Sequence, residues 1–278
     1  MKSDSVFYRL ARAAYPVFLF LLIRTVIVTV VKNMVIWAST ADMVILGYDF
    51  SAIVTKQQLV DWFSTCSTYI TIVSSVVNII VFYFLYRKNG KGSFCHNGLK
   101  FPKAKESLRI IVLTATAGIG INNLIVLSNI ASLSSKFQST QEALYSPSIF
   151  IELLGSGLII PICEELVFRG VIYERLKLCV GTVLAGFFSA LLFGVLHGNI
   201  VQGIFATIIG MLLAFLYEKY KSILVPIMGH MSINIFAIIL SETQFVARFL
   251  PSATYYLVFT VACIVIAAFL FGSLTNKK

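Results

Sequence analysis

Long apolar runs, which no water-soluble fold could bury, dominate this chain. Eight can be drawn, near Ala14–Trp37, Ser67–Tyr86, Leu108–Ala131, Ser148–Phe168, Thr182–His197, Ile200–Tyr217, Ile223–Leu240 and Ser252–Phe271. A helix needs about 20 apolar residues to span a bilayer, and most of these runs are near that length. They are continuous, whereas an outer-membrane barrel shows alternating segments of about ten residues. Lipid offers the backbone no hydrogen-bond partners, so a lipid-exposed span must satisfy its own and becomes a helix. The expected fold is an all-α, polytopic membrane bundle with about eight transmembrane helices. Composition agrees: 58% of the 278 residues are hydrophobic and 12% charged, about half the ~25% charge of soluble domains. A soluble enzyme is excluded. The net charge of +10 has no soluble basic face with which to bind nucleic acid, so the lipid bilayer is the first expected partner.

The basic residues report orientation instead. Lys2, Arg9 and Arg12 precede the first run; Arg87, Lys88, Lys91, Lys100, Lys103 and Lys105 fill the second connection. Arg175 and Lys177, Lys219 and Lys221, and Lys277 and Lys278 follow later runs. With eight crossings all of these share one side, while the opposite connections hold only scattered Lys56, Lys136 and Arg248. The positive-inside rule then predicts both termini cytoplasmic, and the compact span set with short connections suggests an integral protein of a bacterial plasma membrane. The first run is too long for a cleavable leader and reads as a retained span. Arg24 inside it is read as a snorkelling side chain. Glu152 is expected at the outer interface. The five cysteines, including Cys95 and Cys179 near the cytoplasmic side, lack metal-type spacing and read as reduced structural thiols. His96 is expected to face solvent.

Chemistry divides the chain more sharply than any linker does. Residues 1–147 form a three-span region with few intramembrane ionisable groups, and 148–278 gather almost all of them. A charge at the bilayer centre costs about 2.5–3.5 kcal/mol on insertion scales, so each such group needs a partner or a wet cavity. In Pro161-Ile-Cys-Glu164-Glu165-Leu-Val-Phe-Arg169, Glu165 and Arg169 stand i,i+4 with the acid first, the favourable order for a helical pair. Adjacent helical residues point about 100° apart, which leaves Glu164 on another face, free to work. In Phe193-Gly-Val-Leu-His197, a Gly186, Ala190, Gly194 stripe invites close helix packing, and His197 projects near that seam. Taken alone, His197 reads most simply as a helix-end histidine bonded to a carbonyl. In Pro226-Ile-Met-Gly229-His230-Met-Ser-Ile-Asn234, His230 and Asn234 share a face, and Pro226 is expected to open the helix before them. Taken alone, that pair reads as interhelical hydrogen-bonding glue.

Together these groups say more. A carboxylate with a histidine can activate water, and a histidine with a carboxamide can hold a developing negative charge. That inventory suits hydrolysis of a carbonyl inside the membrane. Neither a Gly-x-Ser-x-Gly elbow nor a helical His-Glu-x-x-His is present. The three motifs, in this order and each on an expected span across about 148–240, resemble those of the CPBP family (CAAX protease and bacteriocin-processing, or Abi), which includes the type II CAAX prenyl endopeptidases.

The resemblance implies an eight-helix intramembrane endopeptidase acting on a membrane-associated peptide or protein tail. Carried over by motif, Glu164 and His197 activate water, His230 and Asn234 stabilise the oxyanion, and Glu165 and Arg169 support them. No cofactor is favoured; Zn²⁺ held by two histidines and a glutamate is the alternative. A non-proteolytic membrane protein conferring bacteriocin immunity, or scaffolding, is the rival function. A proton-coupled transporter would need paired broken helices, and no internal symmetry suggests them. Counting about 1.5 Å per residue, Glu164 lies ~16 Å from Arg175 and His230 ~13 Å from Lys221, but His197 lies ~22 Å from Thr182. Tilt or a re-entrant path in the fifth span is therefore expected.

Overall fold

The computed structural model describes residues 6–46, 56–89, 99–128 and 148–276. Lys2, Lys91, Cys95, His96, Lys136, Lys277 and Lys278, and the end of the third apolar run, lie outside the described residues. The described residues form helices and turns and contain no strand. Helix α1 covers Val6–Leu46, α2 Lys56–Asn89 and α3 Ala104–Leu127. A continuous helical segment, α4, runs over 149–180. It is followed by α5 (Thr182–Val195), α6 (Ile200–Tyr220), α7 (Leu224–Glu242), the short α8 (Phe245–Phe249) and α9 (Ala253–Thr275).

Among the described residues, 6 helices (α1, α2, α3, α6, α7 and α9) are long and apolar enough to cross a membrane. The chain is an integral membrane protein built as a helical bundle. The expected count of eight is approximate, because the other two positions are not plain spans. Helix α5 has only 14 residues, about 21 Å at 1.5 Å per residue. Helix α4 is interrupted by two wide-turn segments, Gly155–Ile159 and Leu166–Tyr173.

Local chemistry explains the joints. Gly181 lies at φ +79°, a left-handed conformation that glycine adopts without a Cβ penalty, and it both ends α4 and starts α5. Asn199 starts α6 by accepting the Gln202 N–H on its side chain at 2.9 Å. Pro226 does not open α7 as expected. It sits in the first turn, where a backbone N–H would have no helical partner in any case.

Lipid removes the hydrophobic drive between helices, so close packing has to hold them together. The Gly186, Ala190, Gly194 stripe of α5 faces α6. A Cβ on Gly194 would lie 2.5 Å from the Gly203 carbonyl oxygen and closer still to Thr207 Oγ1. Ala190 meets Gly210, and Gly186 faces Ala214, where an added methyl would sit at an ordinary contact distance of 3.7 Å from the Ala214 Cβ. Gly194→Ala should therefore destabilise the protein by about 1–3 kcal/mol through overpacking against backbone. Gly186→Ala should be neutral or better, since alanine is the stronger helix former. Thermal melts of the two variants in detergent check this; equal melting temperatures would refute the close seam.

Elsewhere α3 packs on α7 and α9, with Gly118 against Ile233 and Gly120 against Ile264. Thr114 and Ser232 hydroxyls meet at 2.7 Å, and the Asn123 amide donates to Thr260 at 3.1 Å. Helices α1 and α2 clasp α4 through edge-on aromatic contacts of Phe20 with Phe82 and Phe168, each pair contributing about 0.5–1.5 kcal/mol. One end of the bundle is polar. There Lys177 and the Tyr173 hydroxyl donate to Glu218, and the Tyr220 hydroxyl donates to Glu106. Arg175 donates to the Arg12 carbonyl at 2.8 Å and covers the Tyr15 ring. Glu152, expected at the outer interface, is 2% exposed, because the first turn of α4 packs against α7 near Glu242.

Candidate active site

The site is organised by the first wide turn of α4. Ile160 N–H reaches back to the Gly155 carbonyl, one residue further than in an α-helix. In that register the donor for the Ser156 carbonyl would be residue 161, and Pro161 has no N–H. The orphaned oxygen is taken from across the bundle: Asn234 Nδ2 of α7 donates to Ser156 O at 2.7 Å. A proline in α4 thus fixes where a side chain of α7 must sit. Wide turns of this kind occur often at functional sites. In the second one, the Ser189 hydroxyl of α5 donates to the Phe168 carbonyl at 2.9 Å.

Between the wide turns stand the two glutamates. Glu165 is fully buried and accepts from Arg169 Nη1 at 2.7 Å, the i,i+4 pair that the spacing suggests. The same oxygen, Oε1, contacts His230 Nδ1 at 2.9 Å. Arg169 is also fully buried; its Nη2 donates to the Gly210 carbonyl at 3.0 Å, and its guanidinium lies over the Phe193 ring at 4.9 Å. The cation therefore has an anion, a carbonyl and an aromatic face around it, which offsets its removal from water.

Glu164 is different. Its side chain keeps 20% exposure, and its Oε2 lies 3.8 Å from His230 Nε2. The two carboxylates, expected to face separate places, bracket one imidazole at its two nitrogens, with the buried one gripping and the open one near. With Nδ1–H given to the Glu165 carboxylate, Nε2 is the nitrogen left for chemistry.

His197 lies just beyond α5, in the turn before Gly198. Its Nδ1 is 2.7 Å from the Phe193 carbonyl, the helix-end bond that the sequence suggested. That bond again leaves Nε2 free. The Phe193 ring meets the His197 ring edge-on at 4.7 Å and the His230 ring at 5.7 Å. Helix α5 itself is a regular 14-residue helix, whereas two wide turns interrupt α4.

The six candidate residues thus gather around the meeting of α4, α5 and α7. Glu165, Arg169 and His230 are directly bonded, Glu164 is adjacent, His197 joins through Phe193, and Asn234 is anchored on Ser156. Sequence reasoning missed Ser156 and Gly210, which act through backbone oxygens and so leave no side-chain signature. Gly210 left one faint signal, a glycine inside an apolar helix. A Cβ there would press on Arg169 Nη2 at 3.0 Å. Among the described residues no three or more His, Cys, Asp or Glu side chains stand together as a ready ligand set for a metal ion. No step below is routed through a metal.

The profile of the type II CAAX prenyl endopeptidase Rce1-like family matches residues 146–236, the stretch that holds all six residues. That stretch, about a third of the chain, is similar to the Rce1-like family. The family resemblance read from the three motifs is borne out by this match. A Bacillus subtilis (strain 168) protein named "Putative membrane peptidase YdiL" is 29% identical over 143 residues, covering 49% of this chain. The match spans 59% of that relative's own length. No solved structure matches the chain significantly. The matched stretch begins just before α4 and ends inside α7, so it coincides with the helices that build the site.

Proposed function

We propose that the Rce1-like stretch hydrolyses a peptide bond of a membrane-associated peptide or protein tail, using water activated by Glu164. The observation that carries this reading is the split between neighbouring carboxylates. Glu165 is closed into a bonded set with Arg169 and His230, while Glu164 remains open beside His230 Nε2. In the reaction Glu164 takes a proton from water, with His197 Nε2 as the second acceptor, and the water oxygen attacks the carbonyl carbon. His230, its Nδ1 held by a carboxylate, turns Nε2 toward the developing oxyanion and stabilises it by a hydrogen bond without giving up its proton. The second amide hydrogen of Asn234 is left for the same oxygen, because Ser156 uses only one. Glu164 then returns its proton to the departing amine.

The cytoplasm is the proposed side for the polar end of the bundle in a bacterial plasma membrane. The Arg175 bond to Arg12 supports it, since it brings the start of α1 and the end of α4 to one basic face. The test is a comparison of membrane peptide profiles in cells carrying the wild-type chain or His230→Ala. Peptides released by the wild type should be missing in the variant, with their uncleaved precursors accumulating. Identical profiles would remove the protease reading.

A further inference from the structure

A groove between α3 and α7 takes no part in the reaction above. It encloses about 320 Å³, and its walls include Phe101, Ile111, Leu224, Met228, Met231 and Phe236. From Leu224 to Phe236 it follows α7 for about 18 Å at 1.5 Å per residue. That length is close to the ~15 Å of hydrocarbon in one leaflet of a bilayer. The walls offer almost nothing polar. The hydroxyl of Ser232, which also lines the groove, is already bonded to Thr114 at 2.7 Å and to the Gly229 carbonyl at 2.8 Å. An extended peptide laid here would strand its N–H and carbonyl groups. A hydrocarbon chain strands nothing.

The two ends of the groove differ in charge. At the end marked by Phe101 and Leu224 stand Lys100 and Lys103, both exposed. Among the described residues their side chains make no hydrogen bond or ion pair. The acids nearest to them along the chain and across it are engaged elsewhere: Glu106 by Tyr220 and Arg109, Glu218 by Tyr173, Lys177 and Lys221. Past the other end, α7 continues as the wholly apolar IFAIIL of 235–240. The occupant that fits is apolar along one leaflet's depth and anionic at one end. A second copy of this chain would bring the same uncompensated lysines to the same end and be repelled.

We propose that this groove binds an anionic phospholipid, with one acyl chain along α7 from Leu224 toward Phe236 and the phosphate at Lys100 and Lys103. The site bears on the candidate centre through packing. Ile227 and Met231 line the groove on either side of His230 in the sequence, and both also pack into the core around Phe168. The lipid thus completes the packing of the helix that carries His230. None of this depends on the reaction proposed above.

The test places the full chain in phosphatidylcholine nanodiscs with a trace of photoactivatable lipid, its diazirine midway along one acyl chain. The labelled lipid is phosphatidylglycerol in one preparation and phosphatidylcholine in the other. Labelling of residues 224–236, read by mass spectrometry, should be at least about fivefold stronger with the anionic lipid. Labelling around the exposed Val258 and Phe269 of α9 should be alike for both. Lys100→Gln combined with Lys103→Gln should bring the two lipids level in the groove, with an unchanged thermal melt because both side chains are exposed. Met228→Trp should fill the groove and lower its labelling while α9 is labelled as before. Equal wild-type labelling by the two lipids, or a preference that survives the lysine exchanges, overturns the proposal. So does groove labelling unchanged by Met228→Trp, or no labelling of 224–236 because a peptide or a second copy covers it.

Discussion

Glu164→Gln should lower peptide hydrolysis by about 10²–10⁴-fold, the usual contribution of a positioned general base, while the bundle melts as before. The reasoning separates chemistry from structure. Glutamine keeps the volume and a hydrogen-bonding oxygen but cannot take a proton from water at neutral pH. Glu164 is partly exposed and lies outside the bonded set around Arg169, so little of the fold depends on its charge. Proteoliposomes with a lipid-anchored fluorogenic peptide give the rate, and a thermal melt gives the stability. A variant that keeps more than about a tenth of the wild-type rate would show that another group serves as base.

Arg169→Met should do the reverse and strike the fold first. Arg169 and Glu165 are both fully buried and 2.7 Å apart. Removing one partner of such a pair strands the other charge and costs about 3–5 kcal/mol. The loss spreads, because Arg169 also bonds the Gly210 carbonyl and faces Phe193, while Glu165 holds His230. Melting temperature and hydrolysis should fall together. The double variant Glu165→Gln, Arg169→Met should recover part of the stability, since no lone charge remains, yet recover little hydrolysis because His230 has lost its anionic anchor. A single variant as stable as the wild type would mean that the pair is not desolvated.

The bundle and the identity of the site residues were legible because lipid is an unforgiving solvent. It forces long apolar runs into helices, and it makes every intramembrane Glu, Arg and His conspicuous. Glu165 with Arg169 could be paired from spacing alone for that reason. What spacing could not supply was the path of α4. A fixed step of 100° per residue placed the two glutamates on unrelated faces. The two glutamates stand in one regular helical turn, yet both meet His230 because its ring presents Nδ1 to Glu165 and Nε2 to Glu164. Pro161 was visible, but its effect depends on a carbonyl that Asn234 satisfies from 78 residues away.

The bond between Asn234 and Ser156 also orders the birth of the protein. As the chain is made, α4 can enter the bilayer with its ionic pair already neutralised, since Glu165 and Arg169 are four residues apart. Its Ser156 carbonyl has no such local remedy and stays open until α7 arrives. The open oxygen is a vacancy that only a late helix can fill. The candidate site therefore needs α4 and α7 together, and a chain lacking α7 would hold the glutamates without His230 and Asn234.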